Sequence, residues 1–332
     1  MRIAGDRKSG HHRRSVRTVQ ADADGGGTLD WQSQIDRIVR DVRPQLRRGR
    51  VATYIEALAR VPRDRFGIAV RTVEGEEFGA GDADTRFSIQ SISKVFTLTM
   101  AMGFVGEKIW KRVGREPSGS PFNSLVQLER EAGIPRNPFI NAGAHVVTDC
   151  LASHLGHPSE DILSFVRIVS GNPEIDFDPE VAASERATGY RNFALANFLK
   201  SFGNLDGEID AVLDLYFHQC SIAMSCRDLC RAVSYLANDG VDPASGARIV
   251  PKRHARRINS LMLTCGLYDA VGNFAFRVGL PAKSGVGGGI VAVWPGHLTV
   301  CVWSPGLDAT GNSLAGTRAL ELFSQRTGAS IF

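Results

Sequence analysis

The apolar positions near the start of the chain predict an amphipathic helix followed by a β-hairpin and a second, buried helix. Residues 30–42 carry apolar side chains at intervals of three and four, the spacing of one helical face: Trp31, Ile35, Ile38, Val39 and Val42. Residues 66–73 and 76–80 are apolar runs separated by a Glu-Gly pair, a pattern typical of two antiparallel strands. Residues 94–104 are apolar around the whole helical circumference, which predicts burial on all sides.

The rest of the chain is predicted to be helical in its middle and to return to a hairpin near its end. From a loop at residues 115–124 to about residue 264, the pattern is almost wholly helical and is interrupted only at prolines and glycines. Residues 290–294 and 298–303 are apolar runs divided by a Pro-Gly pair, which predicts a second hairpin. A final helix is predicted over residues 312–326.

Strands at both ends with helices between them predict an α+β fold. Segments 50–82 and 283–332 would form one antiparallel sheet flanked by helices, an α-β sandwich, and the residues between them a helical subdomain. The predicted folded domain spans residues 28–332, with a pocket where the two parts meet. Residues 1–27 are polar and lack apolar periodicity, so a disordered basic tail is predicted there.

Composition and charge are those of a globular enzyme. Of the 332 residues, 43% are hydrophobic and 22% charged, and the net charge is +4. Residues 1–27 hold six Lys or Arg and three Asp, so the tail accounts for most of that excess and no nucleic-acid partner is expected. No apolar run reaches the roughly 18 residues of a membrane span. Because no apolar segment follows the basic start, no export signal is predicted and a cytoplasmic location is expected.

Cysteine and histidine spacing gives no sign of a metal site or a disulfide framework. The six cysteines include no Cys-x-x-Cys pair, and the eight histidines include no zinc-binding spacing. We therefore expect reduced thiols, no metal and no cofactor.

The most distinctive motif is Ser91-Ile-Ser-Lys94, at the start of the predicted apolar helix. Side chains three residues apart on a helix share a face, so the lysine amine would lie beside the serine hydroxyl. A desolvated lysine can be neutral enough to take the proton of a serine, which makes the serine a nucleophile. Acyl-transferring serine enzymes combine such a pair with a downstream Lys-Thr-Gly strand, and Lys283-Ser-Gly285 stands ahead of the last hairpin here.

Longer segments around this motif resemble the serine-dependent glutaminases, which share the β-lactamase-like fold of penicillin-binding proteins. The resemblance runs from about residue 30 to 327, and Glu56, where the family usually has proline, is a slight departure. It is carried in order by residues 87–96, 113–123, 137–144, 184–185, 191–192, 262–269 and 279–290.

The resemblance implies a catalytic group and a substrate shell. Ser91 would be the nucleophile and Lys94 its base, with Tyr216 and Tyr268 relaying protons beside them. The substrate, L-glutamine, would be surrounded by Tyr54, Ser91, Asn141, Glu185, Asn192, Tyr216, Tyr268 and the backbone of Val286.

Elementary chemistry agrees with these implied roles. Glu185 can pair with the substrate ammonium, while the two asparagines can donate to its carboxylate. The backbone N–H groups of Ser91 and Val286 can hold the oxyanion of a tetrahedral intermediate. Taken alone, however, Tyr54 is more typical of a packing residue, Glu185 of a helix-surface charge and Asn192 of a turn or helix cap.

The resemblance implies hydrolysis of L-glutamine to glutamate and ammonia through an acyl-enzyme, in a homodimer or homotetramer. Two alternatives stay open. A penicillin-recognising or esterase-type serine hydrolase of the same fold would be expected to carry an export signal. A non-catalytic amino-acid-binding relative would be expected to have lost Ser91 or Lys94, and both are present.

Overall fold

The structure is a computed structural model that describes residues 29–119 and 124–332. The predicted tail at residues 1–27 lies outside the described residues, so its prediction stays untested. The strands are β1 Gly67–Thr72, β2 Glu77–Gly81, β3 Phe87–Ser88, β4 Asp176–Phe177, β5 Ile222–Met224, β6 Ala282–Ser284, β7 Gly289–Trp294 and β8 Leu298–Trp303. The helices are α1 Trp31–Val42, α2 Glu56–Ala59, α3 Ser93–Val105, α4 Leu125–Arg130, α5 Asn141–Ala152, α6 Pro158–Ser170, α7 Pro179–Thr188, α8 Tyr190–Ser201, α9 Ile209–Ser221, α10 Cys226–Ala232, α11 Ser234–Ala237, α12 Lys252–Cys265, α13 Val271–Arg277 and α14 Leu314–Thr327.

The main sheet is antiparallel and is assembled from both ends of the described chain, as predicted. Its strand order is β2-β1-β8-β7-β6, so the early hairpin β1–β2 and the late hairpin β7–β8 are joined through the β1–β8 pair. Ala69 lies opposite Cys301 at the centre of that pair. The α+β class and both hairpins are therefore confirmed. Within the described ranges, no helix is both long and apolar enough to cross a membrane.

Both faces of this sheet are covered, which explains why its strands are apolar without alternation. On β7, Ile290 and Ala292 belong to the core against α1 and α14, whereas Val291 and Val293 belong to the core against the helical part. The side chain of Asp30 caps α1 by accepting from the Ser33 N–H, which fixes where that helix begins. The sheet is thus the middle layer of a sandwich.

The prediction of an almost wholly helical middle was wrong in two places. β4 and β5 interrupt the helices and pair with β3 in a small antiparallel sheet, in the order β3-β5-β4. Strands of two or three residues are too short to leave a two-residue alternation in the sequence. This sheet matters for the site because β3 runs towards Ser91, and the Ile89 N–H continues the pairing to the Ile222 carbonyl at 2.9 Å.

Candidate active site

Ser91 and Lys94 lie on one continuous element at the junction of the two parts. Ser91 was expected to open the helix, but α3 begins at Ser93 and Ser91 lies on the preceding 3-10 turn, Gln90–Ile92. The Ser93 N–H donates to the carbonyls of Gln90 and Ser91, so the turn passes into the helix without a break. Lys94 is only 1% exposed. Ser91 and Lys94 therefore lie one turn apart, as predicted, and the lysine side chain is shielded from solvent.

The glycine cluster after Lys283 brings a second segment against the backbone that precedes Ser91. A Cβ on Gly285 would lie 2.4 Å from the Ile89 carbonyl oxygen, and a Cβ on Gly287 would lie 2.4 Å from that of Ser88. Only glycine permits this approach. The close approach of the two segments places Val286 beside Ser91 in the lining of the pocket.

The substrate-binding residues that the resemblance implies line one pocket. Its volume is about 220 Å³, and two larger cavities, of about 290 and 440 Å³, contain none of the predicted residues. The predicted residues that line it are Tyr54, Ser91, Asn141, Glu185, Asn192, Tyr216, Tyr268 and Val286. Tyr54 is 57% exposed, which places it at the mouth of the pocket and not in the core.

Lys94 lies behind this lining and is held by two acceptors. Its Nζ donates to Asn141 Oδ1 at 2.8 Å and to the Phe139 carbonyl at 3.2 Å, and it lies 5.7 Å from the centre of the Tyr216 ring. Burial lowers the pKa of the Lys94 amine to about 8. A lysine in this state loses its proton near neutral to mildly alkaline pH, as a base for a serine hydroxyl requires.

Glu185 is a buried acid on the wall of the pocket. It lies on α7 and is 7% exposed, so its interpretation as a helix-surface charge is wrong. Burial raises the pKa of its carboxyl to about 7, while a hydrogen bond with Gln90 and the charge of Lys94 act in the opposite direction. A buried carboxyl with a pKa near 7 is partly protonated at neutral pH, and a bound cation favours its ionised form.

The two asparagines extend the hydrogen bonds of Lys94 across the pocket. Asn141 accepts from Lys94 and donates through Nδ2 to Asn192 Oδ1 at 3.0 Å. An amide nitrogen carries two donors, so Asn141 retains a second one after this bond. Asn192 lies on α8 and lines the pocket. The pair can therefore still donate to a ligand, although part of its capacity orients the lysine.

Two buried tyrosines flank the serine–lysine pair. Tyr216 lies on α9 with its ring edge-on to that of His145, at 4.6 Å between centres. Tyr268 has φ of +49°, and its phenol lies near the side chains of Ser91 and Ser284, whose influence on its pKa partly offsets that of burial. Burial is the largest cause that raises the pKa of both phenols, so both retain their protons at neutral pH.

Three buried residues near the site were not among the predicted ones. Gln90 lines the pocket and bonds Glu185, His145 packs on Tyr216, and Lys283 lies 4.8 Å from the centre of the Tyr268 ring. Only Lys283 had a signal in the sequence, the Lys-Ser-Gly motif. The partners of Gln90 and His145 lie on distant segments, so local pattern could not reveal them.

A sheet sandwich with a buried Ser-x-x-Lys pair under a small polar pocket is the arrangement of the β-lactamase-like class. The sequence profile of the family described as Glutaminase matches residues 49–332. Glutaminases of Rhizobium johnstonii and Agrobacterium fabrum are 56% and 57% identical to the chain, each over 307 residues that cover 91% of this chain and 99% of the relative. A solved structure, a probable glutaminase from Bacillus subtilis complexed with 6-diazo-5-oxo-L-norleucine, is 34% identical. It superposes with a TM-score of 0.83 over 92% of this chain and 98% of that one. The chain belongs to the glutaminase family.

Proposed function

We propose that this chain is an active glutaminase, which hydrolyses L-glutamine to L-glutamate and ammonia with Ser91 as nucleophile and Lys94 as base. The observation that carries the proposal is the placement of Ser91, beside a lysine of lowered pKa, in the same small pocket as the buried acid Glu185. The solved relative described as complexed with 6-diazo-5-oxo-L-norleucine supports an amino-acid ligand for this pocket.

Recognition follows from the charges of the free amino acid. The ammonium of glutamine pairs with the ionised Glu185, and the asparagine amides donate to its carboxylate without adding a second buried positive charge. Val286 and Ser91 lie at the same end of the lining, where their backbone N–H groups receive the oxyanion. This arrangement directs the side-chain amide to Ser91.

The reaction proceeds in two balanced halves. Lys94 takes the Ser91 proton, the serine oxygen attacks the side-chain amide carbon, and the C–N bond breaks as the nitrogen receives a proton through Lys94 and the two tyrosines. Ammonia leaves and a γ-glutamyl ester remains on Ser91. Water then attacks that ester with the same groups as base and acid, which releases glutamate and restores the serine.

The test is release of glutamate from purified full-length chain, with L-glutamine and L-asparagine assayed side by side. We expect turnover of glutamine and weaker turnover of asparagine, whose amide is one methylene closer to the ammonium held by Glu185. The same protein is exposed to a β-lactam probe. Acylation by the probe without glutamine turnover would support the penicillin-recognising alternative, and glutamine binding without turnover would support the non-catalytic one.

The proposal also covers the oligomeric state and the cellular location of the chain. We also propose that the chain assembles as a homodimer or homotetramer, as the resemblance implies, and that it is cytoplasmic. Sedimentation of the purified chain over a range of concentrations measures the assembly state directly.

A further inference from the structure

A second cavity lies beside the turn that carries Tyr268, and its lining residues take no part in the proposed hydrolysis. Its volume is about 290 Å³, compared with about 220 Å³ for the candidate active site, and we call it the α13–α14 cavity after the two helices that line it. Leu267 and Ala270 belong to its wall, whereas Tyr268 lines the active-site pocket. The two cavities are therefore separated by one short turn, and the larger has room for a molecule of the size of an amino acid.

Three charged residues give one end of the α13–α14 cavity an excess of positive charge. Arg277, the last residue of α13, and Arg318, on α14, both line it, and both pair with Glu321. The Arg318 contact is 2.8 Å long and the Arg277 contact 3.9 Å. Neither guanidinium has another ion pair among the residues that the structure describes. Since one carboxylate cannot occupy all the donors of two guanidinium groups, this end can still receive an anion.

The residues just before α14 provide hydrogen-bond acceptors at another part of the cavity. Asp308 Oδ1 accepts from the Thr310 N–H, from Thr310 Oγ1 and from the Asn312 N–H, at 2.8, 2.7 and 3.1 Å. Asp308 Oδ2 has no hydrogen bond or ion pair within the described part of the chain. Asn312 is 1% exposed and donates to the Leu267 carbonyl at 3.2 Å, but its Oδ1 also lacks a donor among the described residues. Because a buried acceptor without a donor is costly, this part of the lining suits a cation that carries N–H groups.

The positive end and the acceptors are separated along α14. The helix begins at Leu314, and Arg318 and Glu321 follow four and seven residues later. With a rise of about 1.5 Å per residue, they lie roughly 6 to 10 Å along the axis from the helix start, next to which Asn312 stands. Leu314 and Phe274 add apolar surface to the lining. A ligand that reaches both ends must therefore carry its ammonium and its carboxylate several ångströms apart on a short carbon chain.

We propose that the α13–α14 cavity is a second binding site, for a free acidic amino acid whose ammonium lies against Asp308 and whose side-chain carboxylate lies against Arg277 and Arg318. L-Glutamate has this arrangement of charges. Its α-carboxylate can accept from the side-chain amides of Gln45 and Asn273, which also line the cavity. The inference goes beyond the proposed function and does not depend on it, because no lining residue of this cavity takes part in the hydrolysis.

The central experiment is equilibrium dialysis of the full-length chain against radiolabelled L-glutamate over a range of millimolar concentrations. We expect two sites in the wild-type protein and one in Glu185→Gln, in which the active site no longer pairs with the ammonium. In the Glu185→Gln background, Arg318→Gln and Asp308→Asn should each weaken the remaining site at least tenfold, the scale of a lost charge-assisted hydrogen bond. Asparagine keeps the shape of Asp308 and the acceptor Oδ1, so the turn before α14 is preserved.

Arg256→Gln is the matched control for the loss of one positive charge. Arg256 lies on α12, its side chain is 70% exposed and it does not line the cavity, so its variant should bind L-glutamate as well as its parent does. Melting temperatures show whether each variant is folded. If Asp308→Asn does not fold, Arg277→Gln takes its place beside Arg318→Gln.

A second ligand tests the pairing of the ammonium with Asp308. Glutarate has the two carboxylates of glutamate but no ammonium. In the Glu185→Gln background, we expect it to bind more weakly than L-glutamate and to lose no further affinity on Asp308→Asn. An equal loss for both ligands would show that Asp308 does not bind the ammonium.

Two results would overturn the inference. One is a wild-type protein with a single glutamate site that Glu185→Gln abolishes. The other is a remaining site that Arg318→Gln and Asp308→Asn leave as strong as Arg256→Gln does. Failure of the proposed function gives a different result: a wild-type chain without glutamine turnover would refute the hydrolysis, while the cavity variants would still decide whether the second site exists.

Discussion

Replacement of Glu185 by glutamine should make the protein more stable and, at the same time, a much poorer enzyme. The carboxyl is 7% exposed and lies in a pocket where burial raises its pKa from an ordinary 4.5 to about 7. Ionised Glu185 is therefore strained in the empty protein and stabilised only when a cation binds. Glutamine has nearly the same shape but cannot ionise, so the substitution removes both the strain and the recognition.

The sign and size of the stability effect follow from the pKa shift. Because the folded pKa lies above the unfolded value, proton uptake stabilises the folded state fully below about pH 4.5, and this contribution is lost as pH rises through about 7. A shift from 4.5 to about 7 corresponds to roughly 3 kcal/mol. Since the buried amide also costs some free energy, we expect Glu185→Gln to gain on the order of 1–3 kcal/mol at pH 8 and much less at pH 5.

The catalytic loss is larger than this gain. Without the carboxylate, the substrate ammonium lacks its partner, which costs roughly 2–4 kcal/mol, or roughly 30- to 700-fold in kcat/KM. The assays are thermal unfolding at pH 5 and pH 8, and kcat/KM for glutamine and for an analogue that lacks the amino group. The control is Glu180→Gln, an exposed glutamate on the same helix, which should change neither property.

Two outcomes would refute this reasoning. A Glu185→Gln protein that is less stable at pH 8, or equally stabilised at both pH values, would show that the carboxyl is not strained in the empty pocket. Equal losses of kcat/KM for glutamine and for the analogue without the amino group would show that Glu185 does not bind the ammonium.

Three further predictions concern the base and the tail. Turnover should rise with pH through about 8, because burial lowers the pKa of Lys94 to about 8 and the amine loses its proton there. A flat profile between pH 6 and 9 would contradict the role of Lys94 as base. The apparent pKa of the profile belongs to the coupled group of Lys94 and the two tyrosines. Lys94→Ala should lower kcat nearly as much as Ser91→Ala, and the double variant should be no worse than either, as steady-state kinetics would show. Deletion of Met1–Gly27 should leave turnover, melting temperature and size-exclusion profile unchanged, because those residues are too polar to add to a core; a large loss of activity would instead indicate that the tail docks on the folded domain.

The architecture was predictable wherever a pattern extends over a whole element. The helical spacing of Trp31 to Val42 and the two apolar hairpins were long enough to place α1, β1, β2, β7 and β8. The small sheet of β3, β4 and β5 was not predictable, because each strand has only two or three residues and its partners are far apart in sequence.

The site shows the same division between local and distant information. The Ser91–Lys94 pair is local and carries its own chemical signal, although the motif is common and needed the longer resemblance to be convincing. The hydrogen bonds from Lys94 to Asn141 and from there to Asn192 join three helices, and the burial of Glu185 depends on elements that pack around α7. Contacts between segments far apart in the sequence produce no periodic pattern of residues. These hydrogen bonds and the burial of Glu185 could therefore be identified only in the folded chain.

The most direct test of the central claim is glutamate and ammonia release from L-glutamine by the wild-type chain, by Ser91→Ala and by Ser93→Ala at equal concentration. Ser93 is buried two residues further along and does not line the pocket, so its variant is a matched control. The account predicts equal amounts of the two products from wild type and Ser93→Ala, and no turnover by Ser91→Ala with an unchanged melting temperature. Turnover by Ser91→Ala within about tenfold of wild type would remove Ser91 from the mechanism and contradict the account.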